Sequence, residues 1–229
     1  MDKSSSPRKL VILDFCETLI KFQTADRFID FVCEDKNVVV HKIILRIEVF
    51  LKKVKFTSIV HKISPKFNIN KRLRLLSIIG INKNHLSIKA ESYSMILMDN
   101  MIPEMRVVLN ESLRNDDYVI LVSGGYELYL LEFAKYFNIK DVIGTKLMFK
   151  NNRATGLFSG LDCMHGNKTI LLESYIEKND IKYNESVVYS DSISDLPLLA
   201  WADKGWVISK GNSQDWVKSH NLNELVWNE

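Results

Sequence analysis

The sequence predicts an α/β protein with a three-layer α/β/α core, a parallel sheet and an inserted all-helical cap domain. Short apolar segments rich in β-branched residues alternate with amphipathic helical patterns along most of the chain, as in proteins built on a parallel sheet. Residues 21–100 depart from this alternation, because they show helical character only. A connection between two strands is rarely that long, so we expect residues 21–100 to form the cap.

The predicted strands are short apolar segments bounded by polar residues or glycine. They comprise residues 9–13, 118–122, 142–144, 186–189 and 205–208, the last strand that we expect. Residues 150–157 (KNNRATGL) have the composition of a hairpin turn. The core domain should therefore consist of residues 1–20 and 101–229.

The predicted helices place apolar residues on one side at helical spacing. They cover residues 22–32, 38–63 (one or two helices), 70–79, 88–98, 103–113, 128–137, 168–179 and 196–202. Thr24 is a candidate N-cap for the first of them, and Pro103 suits the first turn of the helix that it begins.

The composition favours a globular protein of the cytoplasm. Of the 229 residues, 46% are hydrophobic and 26% are charged, which is typical of globular domains. The polar first residues precede an apolar run of only about five residues, and no stretch reaches about 18 uncharged apolar residues. We therefore expect neither a leader peptide nor a membrane span. Three scattered cysteines without metal-ligand spacing favour a reducing compartment.

Basic residues are concentrated in the predicted cap. Between Lys36 and Lys89 there are thirteen Lys or Arg residues and a single acidic residue, Glu48. The whole chain carries a net charge of only +3, so the remainder is net acidic. This asymmetry predicts an anionic substrate or a negatively charged surface near the cap.

The basic stretch of residues 42–62 has three open interpretations. It is a solvated helix face whose apolar side packs in the cap, or a helix that makes peripheral contact with a membrane surface. Binding to a nucleic-acid backbone is the third and is disfavoured, because the stretch lacks aromatic residues suited to base stacking.

Five residues with chemically useful side chains fall at one predicted edge of the sheet. Asp14, Ser123 and Asp191 each come directly after a predicted strand, and Asp195 lies in the loop that Asp191 opens. Lys168 stands at the start of a predicted helix. In open α/β sheets, ligands bind in the crevice beyond the carboxyl ends of the strands. We therefore expect these residues to converge there.

This set of residue types suits phosphoryl transfer. A carboxylate such as Asp14 attacks phosphorus and forms an aspartyl-phosphate. The carboxylate oxygens of Asp14 and Asp191 are ligands that Mg²⁺ prefers, and Lys168 would balance the remaining negative charge. The Ser123 hydroxyl and the Gly124 amide would donate hydrogen bonds to the phosphoryl oxygens.

The segments DFCET and SGG, the lysine of HGNK and the segment SDSISD follow the order of the four motifs of the haloacid dehalogenase (HAD) superfamily. The chain most resembles the phosphoserine-phosphatase-like branch, subfamily IB, whose helical C1-type cap corresponds to residues 21–100. The resemblance spans residues 14–195. It implies a Rossmann-like core and a phosphatase that uses Mg²⁺. Dehalogenation is a weaker interpretation, because the aspartates of SDSISD suit a cation that carbon–halogen chemistry does not require.

The resemblance also implies a role for each matching residue. The roles are nucleophile and metal ligand (Asp14), metal ligand through the backbone carbonyl (Cys16), phosphate binding (Thr18, Ser123, Gly124), charge neutralisation in catalysis (Lys168), metal ligand (Asp191) and support of Lys168 or of the metal's water (Asp195).

Gln23 and Tyr126 are the candidate residues for substrate specificity. Phosphoserine phosphatases carry at the position of Gln23 a glutamate that helps to hold the ammonium group of the substrate. A neutral amide pairs only weakly with a cation, so we expect a small anionic phosphorylated metabolite instead of phosphoserine. Tyr126 directly follows SGG and should pack near the site.

Cys16 departs from the family pattern, in which an aspartate protonates the leaving oxygen and later activates water. A thiol with an ordinary pKa near 8.5 is a much weaker acid, and general acid–base assistance is worth ~10²–10⁴-fold. Three outcomes are open. The substrates have good leaving groups, such as acyl phosphates; Glu17 or a cap residue supplies the proton; or turnover is slow or absent.

The main alternative to a phosphatase is therefore a catalytically impaired binding or regulatory protein that keeps the phosphate pocket. A lipid-phosphate phosphatase at the membrane surface is a further option. The oligomeric state has no signature in the sequence.

Overall fold

A six-stranded parallel sheet forms the centre of the protein in the computed structural model, which describes residues 8–34, 39–53 and 68–228. The strand order is β3-β2-β1-β6-β7-β8, and β4 and β5 form a separate antiparallel hairpin. The strands are β1 (Lys9–Leu13), β2 (Tyr118–Tyr126), β3 (Asp141–Thr145), β4 (Leu147–Lys150), β5 (Arg153–Phe158), β6 (Glu185–Ser190), β7 (Lys204–Lys210) and β8 (Asn223–Trp227).

Helices cover both faces of this sheet, as predicted. They are α1 (Thr24–Glu34), α2 (Val39–Lys53), α3 (Ile69–Leu75), α4 (Lys83–Asp99), α5 (Pro103–Arg114), α6 (Glu127–Tyr136), α7 (Gly166–Lys178), α8 (Leu196–Trp201) and α9 (Asp215–Ser219). A 3₁₀ turn extends α3 over Leu76–Ile78, and another, Ile193–Asp195, precedes α8. The three-layer α/β/α architecture is confirmed.

The central strand β1 explains why the two hydrophobic clusters lie on opposite sides of the sheet. It pairs in parallel with β2 on one side and with β6 on the other. Val11 and Leu13 belong to one buried cluster, whereas Leu10 and Ile12 belong to the other. Alternate side chains of a strand point to opposite faces, so this short apolar segment is buried on both.

The described residues within 21–100 form helices and one 3₁₀ turn, and no strand is assigned among them. The chain enters and leaves this helical block through neighbouring backbone segments. The Lys21 N–H donates to the Asn100 carbonyl (3.0 Å), and the Ile102 N–H donates to the Leu19 carbonyl (2.8 Å). This paired crossing supports domain boundaries near residues 20 and 100, which stay a prediction.

Aromatic packing joins the helical block to the core. The Tyr129 ring of α6 lies 5.1 Å from the ring of Phe28 and 5.4 Å from the ring of Tyr93, measured between centroids. All three residues belong to the cluster that also contains Val11 and Leu13 of β1. The block and the core therefore share one hydrophobic interior on this side of the sheet.

Two predictions for the second half of the chain have different outcomes. The hairpin is confirmed, and its turn places Asn151 and Asn152 at positive φ (50° and 58°), a conformation that asparagine tolerates. The prediction that residues 205–208 are the last strand is wrong, because α9 and β8 follow. As an edge strand, β8 is only partly buried except at Trp227, which weakens its pattern. The predicted helical residues 54–63 lie outside the described ranges.

Across residues 8–34, 39–53 and 68–228, none of the helices combines the length and the apolar character needed to cross a bilayer.

Candidate active site

A buried ion triad forms at the carboxyl end of β1. Asp14 follows the strand directly, and its N–H donates to the Tyr189 carbonyl (2.9 Å) of the neighbouring strand. Lys168, in the first turn of α7, places Nζ 2.9 Å from Asp14 Oδ1 and 2.5 Å from Asp195 Oδ2. All three charged side chains of this triad are buried. Three remote sequence segments thus meet at the predicted crevice.

Asp195 is the second carboxylate that holds the lysine in place. Its Oδ2 also accepts a hydrogen bond from Ser190 Oγ (2.7 Å) at the end of β6. Although burial disfavours the ammonium ion, the charges of Asp14 and Asp195 raise the pKa of Lys168 above its ordinary value. The lysine therefore stays protonated and supplies a fixed positive charge beside the Asp14 carboxylate.

Asp191 brings a further carboxylate to the same place. Thr18 Oγ1 lies 3.4 Å from Asp14 Oδ2 and 3.2 Å from Asp191 Oδ1, within hydrogen-bonding distance of both. Burial, followed by the charge of Asp14, raises the pKa of Asp191 to about 8. Burial also raises the pKa of Asp14, although Lys168 opposes this shift.

These two crowded carboxylates fit a divalent cation, whose charge would offset their repulsion. No group of three His, Cys, Asp or Glu side chains suited to a metal occurs within the described ranges. Mg²⁺ does not require such a cage, because it keeps several waters and binds one or two carboxylates together with substrate phosphate. Asp14 and Asp191 meet that requirement.

Cys16 lines the cavity, where its thiol lies 3.9 Å from Ser123 Oγ, and it also contacts a chain of hydroxyl groups. Its Sγ lies 3.0 Å from Thr24 Oγ1, which in turn lies 2.6 Å from the Tyr129 hydroxyl. Tyr93 donates from its hydroxyl to the Thr24 carbonyl (3.0 Å). Burial, followed by the charge of Asp14, raises the pKa of Cys16 to about 11. At neutral pH the residue is therefore a thiol held against α1, with little acidity.

Glu17 and Gln23 form a pair at the more open side of the site. Gln23 Nε2 donates to Glu17 Oε2, and both residues line the cavity. Glu17 has a positive φ of 55°, which is uncommon for a residue other than glycine. This backbone conformation turns the chain sharply between Cys16 and Thr18.

The Ser-Gly-Gly segment is the irregular end of β2. The register with β3 shifts between Val122 and Tyr126, as in a β-bulge. Ser123 is fully buried, and its Oγ accepts a hydrogen bond from the Gly125 N–H (3.0 Å). Gly124 lines the cavity directly. A β-carbon at Gly124 would lie 2.8 Å from Met164 Cγ, so glycine allows this close approach.

The triad opens into a cavity of about 400 Å³. Its lining combines acidic, amide, hydroxyl and basic groups with few apolar ones: Asp14, Cys16, Glu17, Gln23, Ala25, Asp26, Asn68, Asn70, Lys71, Gly124, Met164, His165, Lys168, Asp191, Ser192, Ser194 and Asp195. Among these described residues the Lys and Arg side chains are Lys71 and Lys168, and both are paired with carboxylates. Of the basic residues of the cap that the structure describes, Lys71 is thus the one that lines the cavity, and its charge is paired with Asp162.

Tyr126 packs near the site, as expected, but is not among the residues that line the cavity, and its role in substrate specificity stays a prediction. It is fully buried, and its ring lies 6.2 Å from the rings of both Phe28 and Tyr129. The bulge at the end of β2 turns this residue into the aromatic cluster. Gln23, the other candidate, does line the cavity.

Sequence reasoning missed two residues around the site. Thr24 was expected only as an N-cap, yet its hydroxyl lies beside Cys16. Lys71 lies in the basic segment NKRLRL, where nothing distinguishes it from its neighbours Arg72 and Arg74. Helical spacing alone does not reveal which of several basic residues turns inward, because that depends on the surface against which the helix packs.

Residues 66–200 match the profile of the haloacid dehalogenase-like hydrolases, which is more than half of the chain. The chain belongs to this family. The match includes Ser123, Lys168, Asp191 and Asp195 of the buried site. The predicted superfamily is thus confirmed for this hydrolase.

Solved structures share the fold of this HAD-like hydrolase over nearly its whole length. A protein of unknown function from Bordetella pertussis Tohama I has 15% identity and a TM-score of 0.75, covering 96% of this chain and 99% of the other. A substrate-bound phosphoserine phosphatase has 15% identity, a TM-score of 0.62 and coverages of 96% and 94%. Cytosolic 5'-nucleotidase IIIB bound to cytidine has 13% identity, a TM-score of 0.64 and coverages of 97% and 80%. A search of curated proteins gave no match.

Proposed function

We propose that this HAD-like hydrolase is a Mg²⁺-dependent phosphomonoester hydrolase that acts through an aspartyl-phosphate on Asp14. The observation that carries the proposal is the buried Asp14–Lys168–Asp195 triad with Asp191 beside it, at the carboxyl edge of a parallel sheet. The fold shared with a phosphoserine phosphatase and a 5'-nucleotidase supports the same chemistry.

In the first step, an Asp14 carboxylate oxygen attacks phosphorus while the bond to the leaving oxygen breaks. Lys168 holds a positive charge at Asp14 Oδ1, so the carboxylate approaches an anionic phosphoryl group at a lower electrostatic cost. Asp14, Asp191 and the Cys16 carbonyl would hold Mg²⁺, which supplies further charge neutralisation when bound. Asp195 keeps Lys168 in place.

Thr18, Ser123 and Gly124 are the proposed phosphate-binding residues. Gly124 borders the cavity, so its amide is the donor nearest to a bound phosphoryl group in this proposal. Ser123 Oγ accepts from the Gly125 N–H and lies 3.9 Å from Cys16 Sγ, so in this proposal its proton turns from the thiol to a bound phosphoryl oxygen. Thr18 Oγ1 lies between the two carboxylates and holds the loop.

Protonation of the leaving oxygen is the step for which the site offers no strong acid at position 16. The Cys16 thiol, with a pKa of about 11, is a poor proton donor and cannot serve as a base at neutral pH. Glu17 lines the cavity and is the nearest alternative acid in the sequence. Anomeric phosphate esters, like acyl phosphates and phosphoric anhydrides, need little protonation of the leaving group, so compounds with such leaving groups are the proposed preferred substrates. The cavity of about 400 Å³ suits a small phosphorylated metabolite whose anionic group is the phosphoryl itself.

Metal removal tests the proposal. Acetyl phosphate, p-nitrophenyl phosphate and glycerol 1-phosphate are assayed with Mg²⁺, with EDTA, and with EDTA followed by excess Mg²⁺. We expect hydrolysis to fall by at least about tenfold in EDTA and to recover with Mg²⁺, because the two crowded carboxylates lose the charge that offsets them. Unchanged rates in EDTA would contradict the proposed metal role. A stoichiometric phospho-enzyme without turnover would instead favour the binding or regulatory alternative.

One observation favours a second candidate function, phosphatase action at an anionic membrane surface. Val40, Ile43, Ile47 and Phe50 are between 42% and 61% exposed and follow helical spacing along one side of α2. Exposed basic residues flank this row: Lys42, Arg46 and Lys53. An apolar row with basic flanks is the pattern of a helix that lies in a lipid interface.

Vesicle sedimentation tests this candidate. We expect the protein to pellet with phosphatidylserine-containing vesicles at low salt and much less with pure phosphatidylcholine. The double variant Ile47→Ser/Phe50→Ser should lower vesicle affinity by at least about tenfold, since each buried apolar side chain contributes about 1.5–3 kcal/mol. Ile88→Ser on α4, where Ile88 is 63% exposed, is the matched control and should bind as the parent does. Absence of binding at every salt concentration would remove this candidate.

A further inference from the structure

Lys71 lies on α3 of the helical block, but its ammonium group is buried in the core. Its Nζ donates to the Gly124 carbonyl (2.6 Å), to Thr145 Oγ1 (2.9 Å) and to Asp162 Oδ1. Only 3% of the lysine is exposed, and Asp162 and Thr145 are buried as well. A lysine with three buried acceptors is unusual for a residue that sequence patterns place on a basic helix surface.

The three acceptors belong to segments that surround the cavity. Gly124 lies in the bulged end of β2, Thr145 ends β3, and Asp162 lies in the loop that leads into α7 and therefore to Lys168. Thr145 Oγ1 is also 2.8 Å from Asp162 Oδ1, and it accepts from the Cys163 N–H (3.2 Å). Lys71 is thus the cation of a closed polar network that joins three core segments to the helical block.

The Gly124–Gly125 peptide links Lys71 to Ser123, a residue of the proposed phosphate site. A peptide bond is planar, so the Gly124 carbonyl and the Gly125 N–H point in fixed opposite directions. Lys71 holds the carbonyl end, and Ser123 Oγ accepts from the N–H end (3.0 Å). The lysine therefore sets the orientation of the peptide that positions the Ser123 hydroxyl.

We propose that Lys71 is a positioning residue for the phosphate-binding loop, so that the helical block completes the site by fixing the Gly124–Gly125 peptide. The inference rests on the proposed phosphatase function for its catalytic consequence. Its structural part does not depend on turnover, because the loop would bind phosphate whether or not hydrolysis follows. Withdrawing α3 would leave the Asp162 carboxylate buried without its cation, which is strongly unfavourable, so this contact should persist throughout the reaction.

Binding of inorganic phosphate tests the proposal. Calorimetry in the presence of Mg²⁺ compares the parent protein with Lys71→Met, which keeps most of the side-chain length but removes the charge. We expect phosphate affinity to fall by at least about tenfold, because a charged hydrogen bond that orients the loop is lost. Lys83→Met, at an exposed position of the same block, is the matched control and should retain the parental affinity. Parental affinity in Lys71→Met would overturn the proposal.

A second variant separates positioning from charge balance. Lys71→Met/Asp162→Asn removes both partners, so thermal unfolding should return towards the parental midpoint, whereas phosphate affinity should stay reduced. Recovery of both properties would overturn the proposal, since Lys71 would then only neutralise Asp162. The double variant also provides the test if Lys71→Met alone does not fold. If the parent binds phosphate but hydrolyses no ester, the proposed function fails while the affinity comparison still decides the role of Lys71.

Discussion

Replacing Asp14 by asparagine is expected to lower phosphate ester hydrolysis by at least about 10³-fold and to abolish covalent phosphorylation. The amide keeps the shape of the side chain beside Lys168 but cannot attack phosphorus. Steady-state kinetics with p-nitrophenyl phosphate measure the first effect. Intact mass after incubation with acetyl phosphate and Mg²⁺ measures the second, as the loss of a single phosphoryl adduct.

Asp99→Asn is the matched control for this prediction. Asp99 is exposed at the end of α4, so the same chemical change there should leave both the rate and the adduct at parental levels. A phosphoryl adduct on the Asp14→Asn variant would show that another residue is the nucleophile. Retention of a tenth or more of the activity would contradict the aspartyl-phosphate mechanism, because the triad would then not contain the reacting group.

Replacing Cys16 by aspartate is expected to raise kcat/KM for glycerol 1-phosphate by ~10²–10⁴-fold. For acetyl phosphate the change should be much smaller, because its leaving group departs without protonation. The new carboxyl group would lie where the thiol now meets the Thr24 hydroxyl. Burial and the negative charge of Asp14 would favour its protonated form, which is the form needed by a general acid.

Cys16→Asn is the matched control, since it fills the same volume without an acidic proton and should give no acceleration. Equal acceleration of both substrates by Cys16→Asp would rule out the leaving-group explanation. If the alkyl ester is already hydrolysed well by the parent, Glu17→Gln should slow it, because Glu17 is then the proton donor at the cavity. These variants separate the three outcomes left open by the sequence.

Much of the site was predictable because its residues lie at strand ends. β1 was predicted with its observed bounds, and Asp14 directly follows it. The alternation of strands and helices required a parallel sheet, whose carboxyl edge brings Asp14, Asp191 and the Lys168–Asp195 pair together. The family match over residues 66–200 covers three of the four motifs, and the order of these motifs along the chain reflects that topology.

The less predictable features depend on contacts between segments that are remote in sequence. β8 was missed because an edge strand lacks the continuous apolar pattern of a buried one. Tyr126 packs among aromatic rings because a bulge turns the end of β2, and no local pattern revealed that bulge.

The α/β architecture, the helical insertion and the order of the motif residues were predictable from the chain alone, because periodicity and strand-end positions are local properties. The directions of individual side chains were not predictable in this way, since they depend on how the elements pack. Lys71 meets a carbonyl 53 residues away, and the Cys16 thiol, which borders the cavity, also meets a hydroxyl of α1. These contacts depend on how whole helices and strands pack, because a buried charge or polar group must pair with groups that the folded interior places near it.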